Sequence, residues 1–192
     1  MSDSTFVDTN VLVYAVDDSE PEKRDLARRS LGSKRYGKLV VSAQILGEFY
    51  VTVTRKLAQP IPEEKASEAI GWLALLTVVP IDATLVMHGT QISRSAQLSY
   101  WDGLVVAAAT RGGCQRLLSE DLNDGQQIGS VRVENPFRRG GENSLLSSAL
   151  DDADPDARNV AELLDGIPGA HERAQLGLRQ ARAGETIALD EL

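Results

Sequence analysis

The sequence predicts an α/β fold: a three-layer sandwich around a parallel sheet of about five strands, followed by a helical C-terminal tail. Short apolar runs alternate with longer segments of helical periodicity through the first 138 residues. That alternation implies crossover connections, which make the strands parallel and place helices on both faces of the sheet. The composition is globular, with 42% apolar and 25% charged residues, and it argues against a disordered or fibrous chain.

Each strand and helix is predicted from local signals in chain order. Strands are predicted at 5–7, 39–41, 78–81, 116–119 and 131–133, each short and centred on apolar residues. Helices are predicted at 20–31, 43–57, 62–76, 83–98 and 99–112. Pro21 suits a first helical turn, and Ser42, Asp82 and Ser99 are suitable N-caps. The polar cluster at 8–10, after the first strand, predicts a loop.

Composition divides the chain into three parts. Residues 1–138 hold 15 basic and 17 acidic side chains, a net charge of −2, and are expected to form one domain. Residues 139–157 are rich in Gly, Ser, Asn and Asp and predict a linker. Residues 158–192 regain helical periodicity and predict a helical tail. Residues 139–192 together carry a net charge of −6, so most of the acidity lies outside the domain.

Cysteine content and hydropathy predict a cytoplasmic protein with no membrane association. Cys114 is the single cysteine, so neither an internal disulfide nor a cysteine-based zinc site is possible. The longest apolar run, 104–109, is too short to span a bilayer. The first residues lack the basic and then apolar order of a signal peptide.

Residues 23–38, called the basic segment below, carry seven Lys and Arg residues and one Asp. A solvated helix face is one interpretation, because most charge runs are of that kind. A surface that faces phosphates is the other. The choice between them depends on the chemistry that the rest of the chain supports.

Four carboxylates are predicted near the sheet edge where ligands bind in open α/β folds. Asp8 follows the first predicted strand, and Asp121 follows the fourth. Glu48 lies in the helix after the second strand, and Asp102 lies in the first turn of the helix before the fourth. Because these positions share one edge of the sheet, the four acids are expected to converge.

Each of these acids also has a structural interpretation. The two that follow strands suit ordinary turns and loops. Asp102 lies three residues after Ser99 and can share a capping box with it. Glu48 borders the apolar face of its helix, where a carboxylate needs a partner such as Arg55 or a metal ion.

A cluster of carboxylates needs a neutralising cation or protonation, because like charges repel. Hard oxygen ligands favour Mg²⁺ or Mn²⁺ over zinc. A site made only of carboxylates and such a metal suits phosphate chemistry, because the ion activates water and neutralises charge on phosphoryl oxygens. The sequence shows neither a Gly-rich phosphate loop nor histidines at metal-ligand spacing.

Four motifs carry a resemblance to a known family. They read Phe6-Val7-Asp8-Thr9-Asn10, Ser42 with Glu48, Tyr100-Trp101-Asp102-Gly103-Leu104, and Leu118-Ser119-Glu120-Asp121-Leu122. In this order they resemble the PIN domain, and more narrowly the VapC-type toxins of bacterial toxin–antitoxin pairs, over residues 4–138. The resemblance implies a ribonuclease that depends on Mg²⁺ or Mn²⁺ and hydrolyses RNA phosphodiester bonds.

The resemblance implies a catalytic role for Asp8, Glu48, Asp102 and Asp121. The three aspartates are expected to be the main metal ligands. Glu48 is expected to be a further ligand or to position the attacking water.

Other residues take supporting roles in the same resemblance. Asn10 and Ser119 are expected to be accessory polar residues of the site. Asp124 matches the position of a further acid in some family members and is a candidate metal ligand, with an exposed loop residue as its alternative interpretation.

The expected partners are an RNA substrate, a cognate antitoxin and a second copy of the chain in a homodimer. In the basic segment, Arg28, Arg29 and Arg35 become candidates for contact with RNA. Tyr36 is a candidate for stacking on a base, with partial burial as the alternative. Trp101 is expected in the core, with a stacking platform as the alternative.

The tail has its own resemblance. Residues 172–192 are similar to the C-terminal part of some small antitoxins, so we expect the tail to restrain the nuclease. A helical pair that extends the fold or mediates dimerisation is the alternative.

Two other functions compete with the ribonuclease. A non-cleaving RNA-binding PIN module is disfavoured, because all four acids are intact. Another Mg²⁺-dependent phosphotransfer enzyme is disfavoured, because Thr9 and Asn10 follow Asp8 where a second Asp would be expected.

Overall fold

The computed structural model describes residues 4–138. The predicted linker at 139–157 and the predicted tail at 158–192 lie outside the described residues. The strands are β1 (Ser4–Val7), β2 (Lys38–Ser42), β3 (Thr77–Val79), β4 (Arg116–Leu118), β5 (Gln127–Ile128) and β6 (Val131–Glu134). The helices are α1 (Thr9–Tyr14), α2 (Pro21–Leu31), α3 (Ala43–Arg55), α4 (Glu63–Leu73), α5 (Ala83–Ala96) and α6 (Tyr100–Arg111).

Within residues 4–138 the strands form one six-stranded sheet in the order β3-β2-β1-β4-β6-β5. The five strands that the sequence predicts are all parallel, as expected. The edge strand β5 pairs antiparallel with β6 and was not predicted. Its two residues are too short to show an alternating pattern, so the neighbouring strand is what defines it.

The centre of the sheet positions the candidate site. β1 pairs with β2 on one side and with β4 on the other, and Val7 lies opposite Leu118. The backbone N–H of Asp8 continues this pairing by donating to the carbonyl of Leu118, with a separation of 3.0 Å. Asp8 and Ser119 therefore leave the same sheet edge on adjacent strands.

The predicted helix caps are present. The hydroxyl of Ser42 accepts from the N–H of Ile45 at 3.3 Å, and the carboxylate of Asp82 accepts from Leu85 at 2.7 Å. Ser99 caps α6 in the same way. Side-chain oxygens at these positions satisfy N–H groups that have no partner inside the helix.

The loop predicted after β1 is wrong, because Thr9 begins the short helix α1. Asp8 is its N-cap, and one carboxylate oxygen accepts from the N–H of Thr9 at 2.7 Å. Val11 and Leu12 are fully buried and hold the helix in place. A helix of six residues is too short for helical periodicity to show, so packing rather than local propensity stabilises it.

The hairpin of α5 and α6 packs closely at two glycines. A Cβ atom on Gly103 would lie 2.5 Å from the carbonyl oxygen of Gly89, and one on Gly89 would lie 3.0 Å from Cα of Leu104. The two helix backbones approach so closely that no side chain fits between them. This contact fixes the start of α6, which carries Trp101 and Asp102.

The described helices are short, and the single cysteine is buried. No helix within residues 4–138 combines the length and apolar character needed to cross a bilayer. Cys114 is free and buried, and burial raises the pKa of its thiol to about 12, so the thiol stays protonated at neutral pH.

Candidate active site

An open cleft of 640 Å³ lies where α1, α3, the start of α6 and the segment after β4 meet. Its lining includes Asn10, Tyr14, Glu48, Val51, Trp101 and Asp121. The cleft thus contains two of the four predicted catalytic acids. Asp8, 7% exposed, hydrogen-bonds to the lining residue Asn10.

Asn10 joins the carboxylates of Asp8 and Asp121. Its Nδ2 donates to Oδ2 of Asp8 at 3.2 Å and to Oδ2 of Asp121 at 3.0 Å. The fully buried hydroxyl of Ser119 donates to the same oxygen of Asp8 at 2.6 Å and accepts from the N–H of Asp121 at 3.2 Å. The structure therefore brings together Asp8, Asp121 and the two residues predicted to support them.

Glu48 reaches this group through α1. Its Oε2 accepts from the hydroxyl of Thr9 at 2.8 Å, and its Oε1 accepts from Nε2 of Gln44 at 2.8 Å. In the described part of the chain these contacts replace the alternative ion pair with Arg55. Thr9 was not singled out in the sequence, because its position opposite Glu48 depends on the unpredicted helix α1.

The electrostatics of the site centre on Asp8. Burial raises the pKa of its carboxyl from 3.8 to about 6, and the nearby charges of Asp121 and Glu48 act in the same direction. Hydrogen bonds from Ser119 and Thr9 oppose the increase. Asp8 is thus a desolvated carboxylate beside two others, and a positive charge among them would be stabilising.

Asp102 and Asp124 have local partners. Asp102 accepts from the hydroxyl of Ser99 at 2.7 Å, and its N–H donates back to that hydroxyl at 3.1 Å, which is the capping interaction that the Ser99 spacing predicts. Asp124 accepts from the N–H of Asn135 at 2.9 Å and pairs with Arg138 at 3.6 Å. Their roles as metal ligands stay predictions.

The donor set suits a hard divalent cation in its chemistry. Asp8, Asp121 and Glu48 offer carboxylate oxygens, which Mg²⁺ and Mn²⁺ favour. The buried Oε1 of Gln44, on the residue that supports Glu48, has no hydrogen-bond partner among the described residues. Within residues 4–138, however, no three acidic, His or Cys side chains are already arranged around one ion. The side chain of Asn10 lies between the carboxylates of Asp8 and Asp121 and hydrogen-bonds to both.

A cluster that sequence analysis missed borders the cleft. The hydroxyl of Tyr14 donates to Glu120 at 2.5 Å, and Lys23 lies 2.8 Å from Glu120 and 2.7 Å from the Tyr14 hydroxyl. The ring of Phe137 packs edge-on against Tyr14 at 5.0 Å. Glu120 lies between Ser119 and Asp121, so the cluster ties that segment to α1 and α2. No local signal links residues so far apart in the sequence.

The basic segment uses many of its charges within the domain. Arg24 pairs with Asp18, and Arg35 pairs with Glu134 at 3.0 Å. Nε of Arg28 donates to the carbonyl of Ala15 at 2.8 Å. Arg29 is exposed on α2. Several charges of the basic segment therefore stabilise the domain itself. The contact of the segment with RNA stays a prediction.

The structure favours the burial alternative for Tyr36 and contradicts the prediction for Trp101. Tyr36, the candidate for stacking, is 3% exposed and belongs to the core. Trp101, expected in the core, is 60% exposed and lines the cleft. Burial of an isolated aromatic residue depends on its tertiary neighbours, which the sequence does not show. The apolar run that begins at Leu104 does not reveal that the first turn of α6, with Trp101, lies at the surface.

The chain is similar to a known family and to a solved structure. A family model described as the PIN domain matches residues 5–123, more than half of the chain. Among solved structures, the chain is similar to the crystal structure of VapC20 from Mycobacterium tuberculosis, a toxin described as cleaving the sarcin-ricin loop. The TM-score is 0.46 at 19% identity, covering 67% of this chain and 99% of that chain. No curated protein matches the chain in a sequence comparison.

Proposed function

The chain belongs to the PIN domain family, and from this we propose that it is a ribonuclease that uses a divalent metal ion to hydrolyse RNA phosphodiester bonds. The observation that carries the proposal is the joining of Asp8 and Asp121 through Asn10, with Ser119 beneath them and Glu48 close by. The charges of Asp121 and Glu48 both act on the desolvated carboxylate of Asp8, and like charges repel one another unless a cation is bound. The open cleft next to them gives a polyanion access.

We assign the metal-holding role to Asp8 and Asp121, with Asp102 and Glu48 completing the set. The ion, when bound, supplies charge neutralisation at the phosphate and an activated water. Asn10 and Ser119 hold the two aspartates in register, because each contacts both residues. Thr9 and Gln44 orient the carboxylate of Glu48 toward the same region.

The test is cleavage of a single-stranded RNA of mixed sequence. The parent chain should cleave it in Mg²⁺ or Mn²⁺ and should lose activity in EDTA. Asp8→Asn and Asp121→Asn should each lose about a hundredfold or more, since even residues that only support a metal ligand cost about 10- to 100-fold. Glu64→Gln changes an exposed acid on α4 and should keep the parent rate. Cleavage that survives in EDTA, or in Asp8→Asn with Mn²⁺, would contradict the proposal.

We further propose that the chain acts as the toxin of a toxin–antitoxin pair, in the cytoplasm and with a cognate antitoxin as partner. Support comes from the resemblance of the four motifs to VapC-type toxins. Induced expression of the parent chain should then slow bacterial growth, and Asp8→Asn at equal protein level should not. Equal growth of the two cultures, under conditions where the purified parent cleaves RNA, would argue against the toxin role.

A further inference from the structure

The side chain of Trp101 is a large aromatic group that is mostly exposed to solvent. It stands in the first turn of α6, next to Asp102, with 60% of its surface exposed. It lines the same cleft as Glu48 and Asp121. The other tryptophan of the chain, Trp72, is also partly exposed at 48%, but it does not line this cleft. The chain therefore carries its own matched comparison for Trp101.

The indole is supported on one side. The ring of Tyr100 packs edge-on against it, with centroids 5.0 Å apart and planes at 67°. The close approach of α5 and α6 at Gly89 and Gly103 fixes the first turn of α6, which carries the indole. A supported aromatic ring loses little conformational entropy when a second ring stacks on it. Trp101 is thus held in position while most of its surface remains available.

The surroundings of the indole combine apolar surface with charge. Val51 on α3, 44% exposed, also lines the cleft. Lys56 lines it as well and can attract a phosphate. Glu48 and Asp121 provide the acidic part of the lining. An aromatic ring, a cation and a candidate metal site in one cleft match the alternation of base and phosphate along a single nucleic acid strand.

We propose that Trp101 forms a stacking subsite for an unpaired nucleobase of the RNA strand, next to the phosphate held at the acidic site. The proposal rests on the proposed ribonuclease function and adds the requirement that the substrate be single-stranded at this position. A base inside a duplex has both faces covered by its neighbours and cannot stack on the indole. Stacking also works with every base, so the subsite favours unpaired RNA over a particular sequence.

The experiment uses the full chain with a short fluorescent single-stranded RNA, in Ca²⁺ buffer, with the RNA checked by gel to remain uncut. Trp72→Phe leaves Trp101 as the sole tryptophan, and Trp101→Phe leaves Trp72. RNA should quench the tryptophan emission of Trp72→Phe and leave that of Trp101→Phe nearly unchanged.

Affinity provides a second readout. Trp101→Leu should bind RNA about 5- to 150-fold more weakly, the range expected for loss of one base–aromatic stack. Trp101→Phe should retain much of the parent affinity, because it keeps an aromatic face, and Trp72→Leu should match the parent. A strand that carries an abasic unit at every position should bind the parent and Trp101→Leu equally.

RNA that binds without changing the emission of Trp101, or with the same affinity for Trp101→Leu, would overturn the subsite while leaving the ribonuclease proposal intact. A chain that binds and cleaves no RNA would overturn both. Emission of Trp101 that follows protein concentration instead of RNA would assign this surface to contact between copies of the chain, and would overturn the subsite. If Trp101→Leu does not fold, the emission measurements on the two Phe variants still decide the question.

Discussion

Asp8 shows how a buried carboxylate that we propose as a metal ligand can weaken the fold that holds it. Burial raises the pKa of its carboxyl from 3.8 to about 6, so the folded protein binds this proton more tightly than the unfolded chain does. In the metal-free protein, ionised Asp8 therefore reduces the free energy of unfolding by about 3 kcal/mol above pH 6. Below pH 3.8 the carboxyl is protonated in both states and this cost disappears.

Asp8→Asn should accordingly be more stable than the parent in EDTA at neutral pH. Asn replaces one acceptor oxygen with a donor, which loses part of the bond from Ser119, so the expected gain is about 1–3 kcal/mol. The advantage should shrink as the pH falls from about 6 toward 4, through the window between the two pKa values. Urea unfolding at several pH values measures it.

The exposed Glu64 provides the control for this measurement. Glu64→Gln should differ from the parent by only a few tenths of a kcal/mol at every pH, since it removes only an interaction with the start of α4. A difference between Asp8→Asn and the parent that is constant across the same pH range would contradict the account of Asp8.

At the scale of residues, the sequence predicts which side chains belong to the candidate site better than it predicts which side chains they contact. Asp8 and Asp121 are predicted from their positions after strands. Asn10 and Ser119 are expected only from the resemblance to the PIN domain, and the structure brings these two and the two aspartates into one network. The hydrogen bond from Thr9 to Glu48 could not be predicted, because it joins residues on two helices whose packing is set by the whole core.

At the scale of elements, the crossing of α5 and α6 sets a strict size limit at Gly103. Gly103→Ala would place a methyl group 2.5 Å from the carbonyl oxygen of Gly89, so the helices must separate. The expected loss is about 1–3 kcal/mol in the free energy of unfolding, the usual range for overpacking. Gly71→Ala in α4 meets nothing within 4 Å and should raise stability by up to about 1 kcal/mol.

Urea denaturation of both glycine variants tests this close packing. Gly103→Ala with the stability of Gly71→Ala would mean that the helices do not approach as closely as the structure places them.

The second prediction at this scale concerns the basic segment. Replacing Arg28, Arg29 and Arg35 together with Gln should weaken RNA binding and flatten its salt dependence. The slope of log affinity against log salt should fall by about 0.7 for each phosphate that these arginines neutralise in the parent. Glu134 keeps a basic neighbour in Arg116, at 3.5 Å, when Arg35 is replaced. The control is Arg94→Gln, which changes an exposed arginine on α5 and should keep the slope of the parent. If the triple variant also keeps that slope, the basic segment does not contact RNA and is a structural, solvated face.

Elements with strong local signals were predicted, and elements that depend on neighbours were not. The five parallel strands and the caps at Ser42, Asp82 and Ser99 follow from apolar runs and N-cap preferences. Helix α1 and strand β5 have six and two residues, too few for either period to show. Both form because the rest of the fold holds them: α1 through its buried side chains, and β5 through its partner strand.

At the scale of the whole molecule, the acidic residues 139–192 bear on access to the cleft. Their net charge of −6 should repel a polyanion at long range, and the resemblance of residues 172–192 to antitoxin ends predicts restraint of the nuclease. Deletion of residues 140–192 should therefore raise the initial rate of RNA cleavage, with a larger effect at low ionic strength. Rates are compared for the full and truncated chains at two salt concentrations and equal folded concentration. Equal rates at both would assign the tail to extension of the fold or to dimerisation.

The central claim is that the carboxylates gathered around Asn10 hold a divalent metal ion. A crystal of the full chain soaked in Mn²⁺, with the ion located by its anomalous scattering, tests this most directly. We predict an anomalous peak in contact with carboxylate oxygens of Asp8 and Asp121, at about 2.1–2.3 Å, with the amide of Asn10 displaced from between them. A soaked crystal with no peak at this position, or with Mn²⁺ only at acids away from the cleft, would contradict the claim.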